Sequence, residues 1–146
     1  MSNRQNICEE LLAAAREARR HAYAPYSGYA VGAAVYGEDG RIYTGANVEN
    51  ASYGLTVCAE RVAIFRAVSE GARRIRALAV VTPDGGTPCG ACRQVLAEFA
   101  DEDVIVWCAS EEVAGVQEYG FSELLPHAFS LPQRVSSEDE LILGGT

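Results

Sequence analysis

Ala77-Leu-Ala-Val-Val-Thr82 and Val104-Ile-Val-Trp-Cys108 are two short, continuous apolar runs, and they decide the fold. Runs of this length with no polar alternation are typical of strands covered on both faces. Between them lies the loop Pro83-Asp-Gly-Gly-Thr-Pro88, followed by a stretch in which Cys92, Val95, Leu96 and Phe99 mark one helical face. Strand, helix, strand in that order predicts a parallel pair joined by a right-handed crossover. The architecture expected around that unit is α/β, with helices on the faces of a central sheet.

Outward from this unit, residues 58–71 carry Ala59, Val62, Ala63, Ile64, Phe65, Ala67 and Val68, apolar nearly all round a helical wheel. Such a helix is buried on most sides. Earlier in the chain, Ile7, Leu11, Ala15, Ala18 and Ala22 recur close to a 3.6 period, with Arg16, Glu17, Arg19 and Arg20 mostly opposite. This predicts an amphipathic helix over 4–22, broken by Pro25 and Gly28. From Tyr29 to Tyr36 every second residue is bulky, and Glu38-Asp-Gly-Arg41 supplies turn chemistry before the extended pattern resumes at Ile42 to Ala46. The two runs read as a β-hairpin. Gln117 to Phe121 is a candidate fifth strand, Ser122 to Leu125 a helical turn, and residues 132–146 a polar tail after a single domain spanning 1–131.

Composition narrows the class. The 146 residues are 49% hydrophobic and 22% charged, with 12 basic against 20 acidic side chains and a formal net charge of −8. One globular domain with a sizeable core follows from that size and balance. No apolar run approaches the ~20 residues needed to cross a bilayer, and Met1 to Asn6 lacks the apolar region of a secretion signal, so a cytoplasmic location is expected. The acidic excess argues against nucleic acid as partner, because polyanion binding needs clustered Lys and Arg. A small-molecule substrate is the better expectation.

Five cysteines without a secretory signal fit reduced thiols, metal ligation or catalysis better than a disulfide framework. Cys89-Gly-Ala-Cys92 opens a helix, and taken alone it is equally a redox pair, half of a structural zinc site or part of a catalytic one. Cys58 offers a third thiol at the start of the buried helix. Cys8, on the first helix, and Cys108, within a predicted central strand, read as ordinary packed residues. Three protein ligands and one open position describe a catalytic zinc. Glu60 follows Cys58 by two places; i and i+2 do not face each other on a regular helix, which favours a solvated glutamate, but the apolar neighbours of Glu60 leave little exposed surface. A carboxylate at that helix mouth is placed to move protons beside the metal. Arg61 is placed to balance thiolate charge.

Cys58-Ala-Glu60 with Pro88-Cys-Gly-Ala-Cys92 matches the C-x-E…P-C-x-x-C signature of zinc nucleobase deaminases. Together with Tyr26-Ser-Gly-Tyr-Ala-Val-Gly-Ala-Ala34, Gly45-Ala-Asn-Val-Glu-Asn-Ala-Ser-Tyr-Gly54 and Pro88-Cys-Gly-Ala-Cys-Arg-Gln-Val-Leu96, the chain resembles the small homotetrameric cytidine deaminases of pyrimidine salvage from about Ala22 to Phe129. The resemblance implies a three-layer α/β/α fold with a five-stranded mixed sheet and one zinc per subunit on Cys58, Cys89 and Cys92. Glu60 is then the proton shuttle, and Asn47 and Glu49 hold the ribose 3′-hydroxyl. Tyr53 reaches a neighbouring subunit's nucleoside, and Phe129 stacks on the base across a subunit boundary. The implied reaction is hydrolytic deamination of cytidine and 2′-deoxycytidine, with active sites shared in a homotetramer. Tyr29-Ala30 stands where the family usually has Phe-Pro; Tyr29 can stack on a ring, and its hydroxyl needs a partner. Three competing readings are a deaminase for another aminopyrimidine nucleoside, a polynucleotide editor, and a nucleoside-binding module with structural zinc. The first is disfavoured by the Asn47 to Tyr53 run, the second by the charge of −8, and the third by Glu60 beside an open metal position.

Overall fold

The computed structural model describes residues 3–111 and 114–134. Its elements, in chain order, are α1 (Asn3–Arg19), β1 (Gly32–Gly37), β2 (Ile42–Ala46), a 3₁₀ turn (Tyr53–Leu55), α2 (Ala59–Ser69), β3 (Ile75–Thr82), α3 (Gly90–Phe99), β4 (Ala100–Ser110), β5 (Val116–Gly120) and α4 (Phe121–Leu124). The sheet order is β2-β1-β3-β4-β5. β3 and β4 run parallel, as the strand-helix-strand unit predicts, and every other pair is antiparallel. The result is the expected mixed sheet in three layers: α1 covers one face through Leu11, Leu12 and Ala15. On the other face α2 and α3 pack Ala63, Ile64 and Leu96 against Val35, Leu78 and Val106. Each fully buried aliphatic side chain there contributes roughly 1.5–3 kcal/mol.

The hairpin is present, but its first strand begins at Gly32 instead of Tyr29. The side chain of Asn47 explains the delay. Its Oδ1 accepts from the Val31 N–H at 2.9 Å and its Nδ2 donates to the Tyr29 carbonyl at 2.8 Å, so an amide takes the backbone bonds that a ladder would have made. The size alternation along β1 also does not report exposure, because this strand is central and Ala33, Ala34 and Val35 are all fully buried. Ala33 and Val35 face α2, while Gly32, Ala34 and Tyr36 lie on the α1 side.

Two glycines set how closely the helices approach. A Cβ on Gly32 would lie 2.0 Å from the Ala15 carbonyl oxygen, and one on Gly45 would lie 2.5 Å from the Ala63 nitrogen and 2.7 Å from the Ala59 oxygen. Gly45 therefore lets the first turn of α2 rest directly on β2, which fixes the helix mouth that carries Cys58 and Glu60.

Several boundaries differ from the sequence reading. The first helix stops at Arg19, not Ala22, and the following residues form turns that carry Tyr23 to its backbone bond with Asn47. β4 starts at Ala100, immediately after α3, because Ala100 pairs with Ile75. The charged Asp101-Glu-Asp103 hid that extension. β5 and α4 each begin one residue earlier than expected. Of the tail from 132, residues 135–146 lie outside the described residues. No helix among the described residues is long and apolar enough to cross a membrane.

Candidate active site

Both α2 and α3 start at a cysteine. Cys58 is the N-cap of α2 and Cys89 the N-cap of α3, each with extended backbone, and Cys92 lies in the first turn of α3. Because Cys58 is a cap and not a helical residue, the helical i, i+2 argument against Glu60 does not apply. A cap side chain and one in the first turn both converge on the helix mouth. The sheet order brings the two mouths together. The Cys58 and Cys89 sulfurs lie 3.8 Å apart and those of Cys89 and Cys92 3.6 Å, with all three within 4.8 Å of one another.

This donor set fits zinc. Tetrahedral zinc with Zn–S bonds of ~2.3 Å requires sulfurs ~3.8 Å apart. The local electrostatics favour thiolate at Cys58. A hydrogen bond from Cys92, followed by one from Arg61, brings the Cys58 thiol down to about 5 despite its partial burial. Arg61 Nη2 lies 3.6 Å from the Cys58 sulfur and 3.5 Å from the Thr56 carbonyl. Its buried Nε has no hydrogen-bond partner among the described residues. The positive ends of two helices add to the same effect. Cys108 is buried in β4 and Cys8 sits on α1; neither belongs to the cluster.

Glu60 is 5% exposed, and desolvation pushes its carboxyl up to about 7. It shares a cavity of about 260 Å³ with Cys58, Cys89, Tyr29, Asn47 and Glu49. A wider groove of about 690 Å³, beside Arg4 and Trp107, holds none of the thiols.

The opposite wall is built from loops. Val48 forms bridges to both Tyr23 and Val57, clamping residues 47–49 in extended form so that Asn47 and Glu49 line the cavity while Val48 is exposed. Asn47 has committed its Oδ1 and one Nδ2 hydrogen to the 29–31 backbone, leaving its second N–H for a ligand. Glu49 accepts from the N–H groups of Tyr26 (2.9 Å) and Ser27 (3.1 Å), and from the Ser27 hydroxyl. The Ser27 hydrogen bond first, helped by the backbone donors, holds its carboxyl below the ordinary range. Tyr53 and Phe129 are not in this cavity. Tyr53 meets the edge of Tyr26 at 6.3 Å between ring centroids, and both tyrosines line an adjoining groove that shares Ser27, Glu49 and Thr56 with the cavity.

Three further residues around the site escaped the sequence reading. Asp84, read there only as part of a loop, accepts the Tyr29 hydroxyl at 2.6 Å. The signal was the hydroxyl itself, which required an acceptor. Arg93 donates to the Pro88 carbonyl (2.8 Å), the Thr87 hydroxyl (3.0 Å) and the Leu124 carbonyl (2.7 Å), tying the loop before Cys89 to the end of α4. Its neighbour Gln94 donates to the Phe129 carbonyl at 3.1 Å. Nothing local in the sequence marks those two roles.

Three thiols at two helix mouths, beside a buried carboxyl that titrates near neutrality, define a zinc-dependent hydrolytic centre. The profile of the cytidine and deoxycytidylate deaminase zinc-binding region matches residues 5–108. A cytidine deaminase of Halalkalibacterium halodurans is 52% identical over 130 residues, covering 88% of this chain and 95% of the relative. One from Sporosarcina psychrophila is 49% identical over 124 residues, covering 84% and 90%. The crystal structure of cytidine deaminase from Burkholderia pseudomallei superposes with a TM-score of 0.78 at 44% identity, covering 88% of this chain and all of that one. That from Mycobacterium tuberculosis gives 0.73 at 43%, covering 84% and 97%. The chain belongs to the cytidine deaminase family, and its cofactor is zinc.

Proposed function

We propose that the protein hydrolyses cytidine and 2′-deoxycytidine to uridine and 2′-deoxyuridine with release of ammonia. The observation that carries this reading is Glu60, buried and lining one cavity with Cys58 and Cys89, two members of the three-thiol cluster. Zinc, one per subunit on Cys58, Cys89 and Cys92, supplies the Lewis acidity that makes water a nucleophile at neutral pH. Glu60 takes one proton from the attacking water and delivers it to N3 of the pyrimidine; it then takes the second proton from the hydroxyl added at C4 and delivers it to the amino group there, so that ammonia leaves as the C4 carbonyl forms. A carboxyl near 7 is matched to both halves of that task, since it accepts and releases a proton at similar cost. Arg61 offsets the surplus negative charge of three thiolates. Tyr29 presents its ring to the base, and Asn47 and Glu49 hold the ribose.

Tyr53 and Phe129 serve the nucleoside of a neighbouring subunit, so the working enzyme is a homotetramer with shared sites. Both rings are exposed in the single chain, as this role requires. Residues 1–131 form the catalytic domain and 132–146 a tail. The enzyme acts in the cytoplasm, in pyrimidine salvage, on free nucleosides and not on polynucleotides. A carboxylate at the ribose 3′-oxygen repels a phosphate placed there.

The test mixes the zinc-loaded protein with cytidine and follows loss of the cytidine absorbance band together with ammonia release, with and without a chelator. Turnover abolished by the chelator is the expected result. Tight cytidine binding without any ammonia would replace the enzyme by a binding module, and deamination of internal cytosines in single-stranded DNA at a comparable rate would overturn the substrate class.

A further inference from the structure

Tyr29 and Asp84 come from different sides of the cavity. Tyr29 stands in the segment between α1 and β1, and its ring lines the cavity with Glu60 and two of the thiols. Asp84 stands in the loop 83–88, which leaves the end of β3 and delivers the chain to Cys89. Their only connection through the chain is long, yet the Tyr29 hydroxyl donates to Asp84 Oδ1 at 2.6 Å.

Asp84 is itself firmly placed. The same oxygen accepts from the Gly86 N–H at 3.0 Å and from the Thr82 hydroxyl at 3.1 Å. Thr82 Oγ1 in turn accepts from the N–H groups of Gly85 (2.7 Å) and Gly86 (3.1 Å), and the Ser110 hydroxyl donates to the Pro83 carbonyl at 2.8 Å. Asp84 is thus the acceptor that a tightly bonded loop turns towards the ring. A Cβ on Gly86 would stand 3.3 Å from Asp84 Oδ1 and 3.5 Å from the Tyr29 hydroxyl oxygen, so the glycine leaves open the space in which the two meet. The hydrogen bond to Tyr29 holds the Asp84 carboxyl below its ordinary range. Burial, then Asp84, raises the phenol. The proton therefore stays on the tyrosine and the charge on the aspartate.

We propose that Tyr29 and Asp84 form a latch, a positioning pair that fastens the substrate-facing ring to the loop carrying Cys89. One hydrogen bond thereby sets both the width of the cavity and the place of a zinc ligand. The backbone of Tyr29 is held on the other side by Asn47, so the ring is fixed at both ends. With its hydroxyl taken by Asp84, the ring offers the cavity an apolar face and no unsatisfied donor. The inference rests on the nucleoside and zinc reading of this cavity, and its test is chosen so that the two can fail separately.

Tyr29→Phe removes one oxygen and keeps the ring; Asp84→Asn removes the charge and keeps an acceptor for Gly86. Each variant and the double variant are loaded with zinc. Zinc release to a colorimetric chelator is timed, and KM and kcat for cytidine are measured. A charge-assisted hydrogen bond at a partly exposed site is expected to give about a three- to tenfold faster zinc release and a similar rise in KM for Tyr29→Phe. Asp84→Asn moves both in the same direction, and the double variant is no worse than the stronger single one, as coupled partners require. Zinc release and KM both at wild-type values in Tyr29→Phe would overturn the latch, as would additive effects in the double variant. Should the wild type fail to deaminate cytidine, the zinc-release cycle still decides the latch.

Discussion

Cys92 and Glu60 are 1% and 5% exposed, whereas Tyr53 and Phe129 are 77% and 68% exposed, although the proposed mechanism assigns all four to nucleoside chemistry. The first pair sits on α2 and α3, whose inner faces pack into the sheet; Tyr53 opens the short 3₁₀ turn and Phe129 sits on the segment after α4. This contrast separates two physical tasks. Proton transfer beside a metal needs low dielectric and sub-ångström placement, which only packed elements provide. Enclosing a nucleoside needs surface that can open and close, or that a second subunit can supply. The three thiols and Glu60 come together within one chain, and under the proposed function a second subunit completes the rim.

The sharpest way to break that contrast is at the centre. Glu60→Gln retains shape and one hydrogen-bonding oxygen but cannot carry a proton, so kcat should fall by ~10² or more while zinc content and nucleoside affinity persist. Steady-state rates, metal analysis and titration calorimetry check the three parts. Retention of most activity would remove Glu60 from the shuttle role.

At the rim, Phe129→Ala should raise KM for cytidine about tenfold or more, because base stacking on an aromatic ring is worth ~1–3 kcal/mol. Zinc content should not change. Sedimentation belongs with this variant: a fully active wild-type monomer would contradict the shared site and return Phe129 to a role within its own chain.

The support beneath the centre can be tested without touching chemistry. Gly45→Ala places a methyl 2.5 Å from the Ala63 nitrogen, which α2 can relieve only by lifting off β2. A loss of roughly 1–3 kcal/mol in denaturant unfolding is expected from such overpacking. Unchanged stability would mean that α2 is not seated on the strand as described.

The smallest effect is expected at Glu49→Gln. Its carboxylate already accepts three donors from Tyr26 and Ser27, so neutralising it weakens the 26–28 turn as well as the proposed ribose contact. The difference between a charged and a neutral hydrogen bond corresponds to cytidine binding weaker by roughly three- to tenfold. Calorimetry on the zinc-loaded protein measures it, and affinity equal to wild type would detach Glu49 from the ribose.

Much of this molecule was legible before any coordinates. The apolar runs at 77–82 and 104–108 and the helical face between them are local patterns, and burial on both sides follows from their composition alone. The clustering of Cys58, Cys89 and Cys92 beside Glu60 was legible for a related reason: each lies within two or three residues of another member of its motif, at a helix start that the neighbouring sequence announces. What the chain could not state was anything that depends on segments distant in sequence. The order β2-β1-β3-β4-β5 brings Tyr29 to Asp84, Asn47 to the backbone of residues 29–31, and Arg93 to the end of α4. These contacts end β1 early, anchor the cavity wall and tether the segment that carries Phe129. Periodicity reports which face of an element is apolar; it carries no information about which remote side chain will take a hydroxyl or a carbonyl there, because that choice is made only when the layers pack.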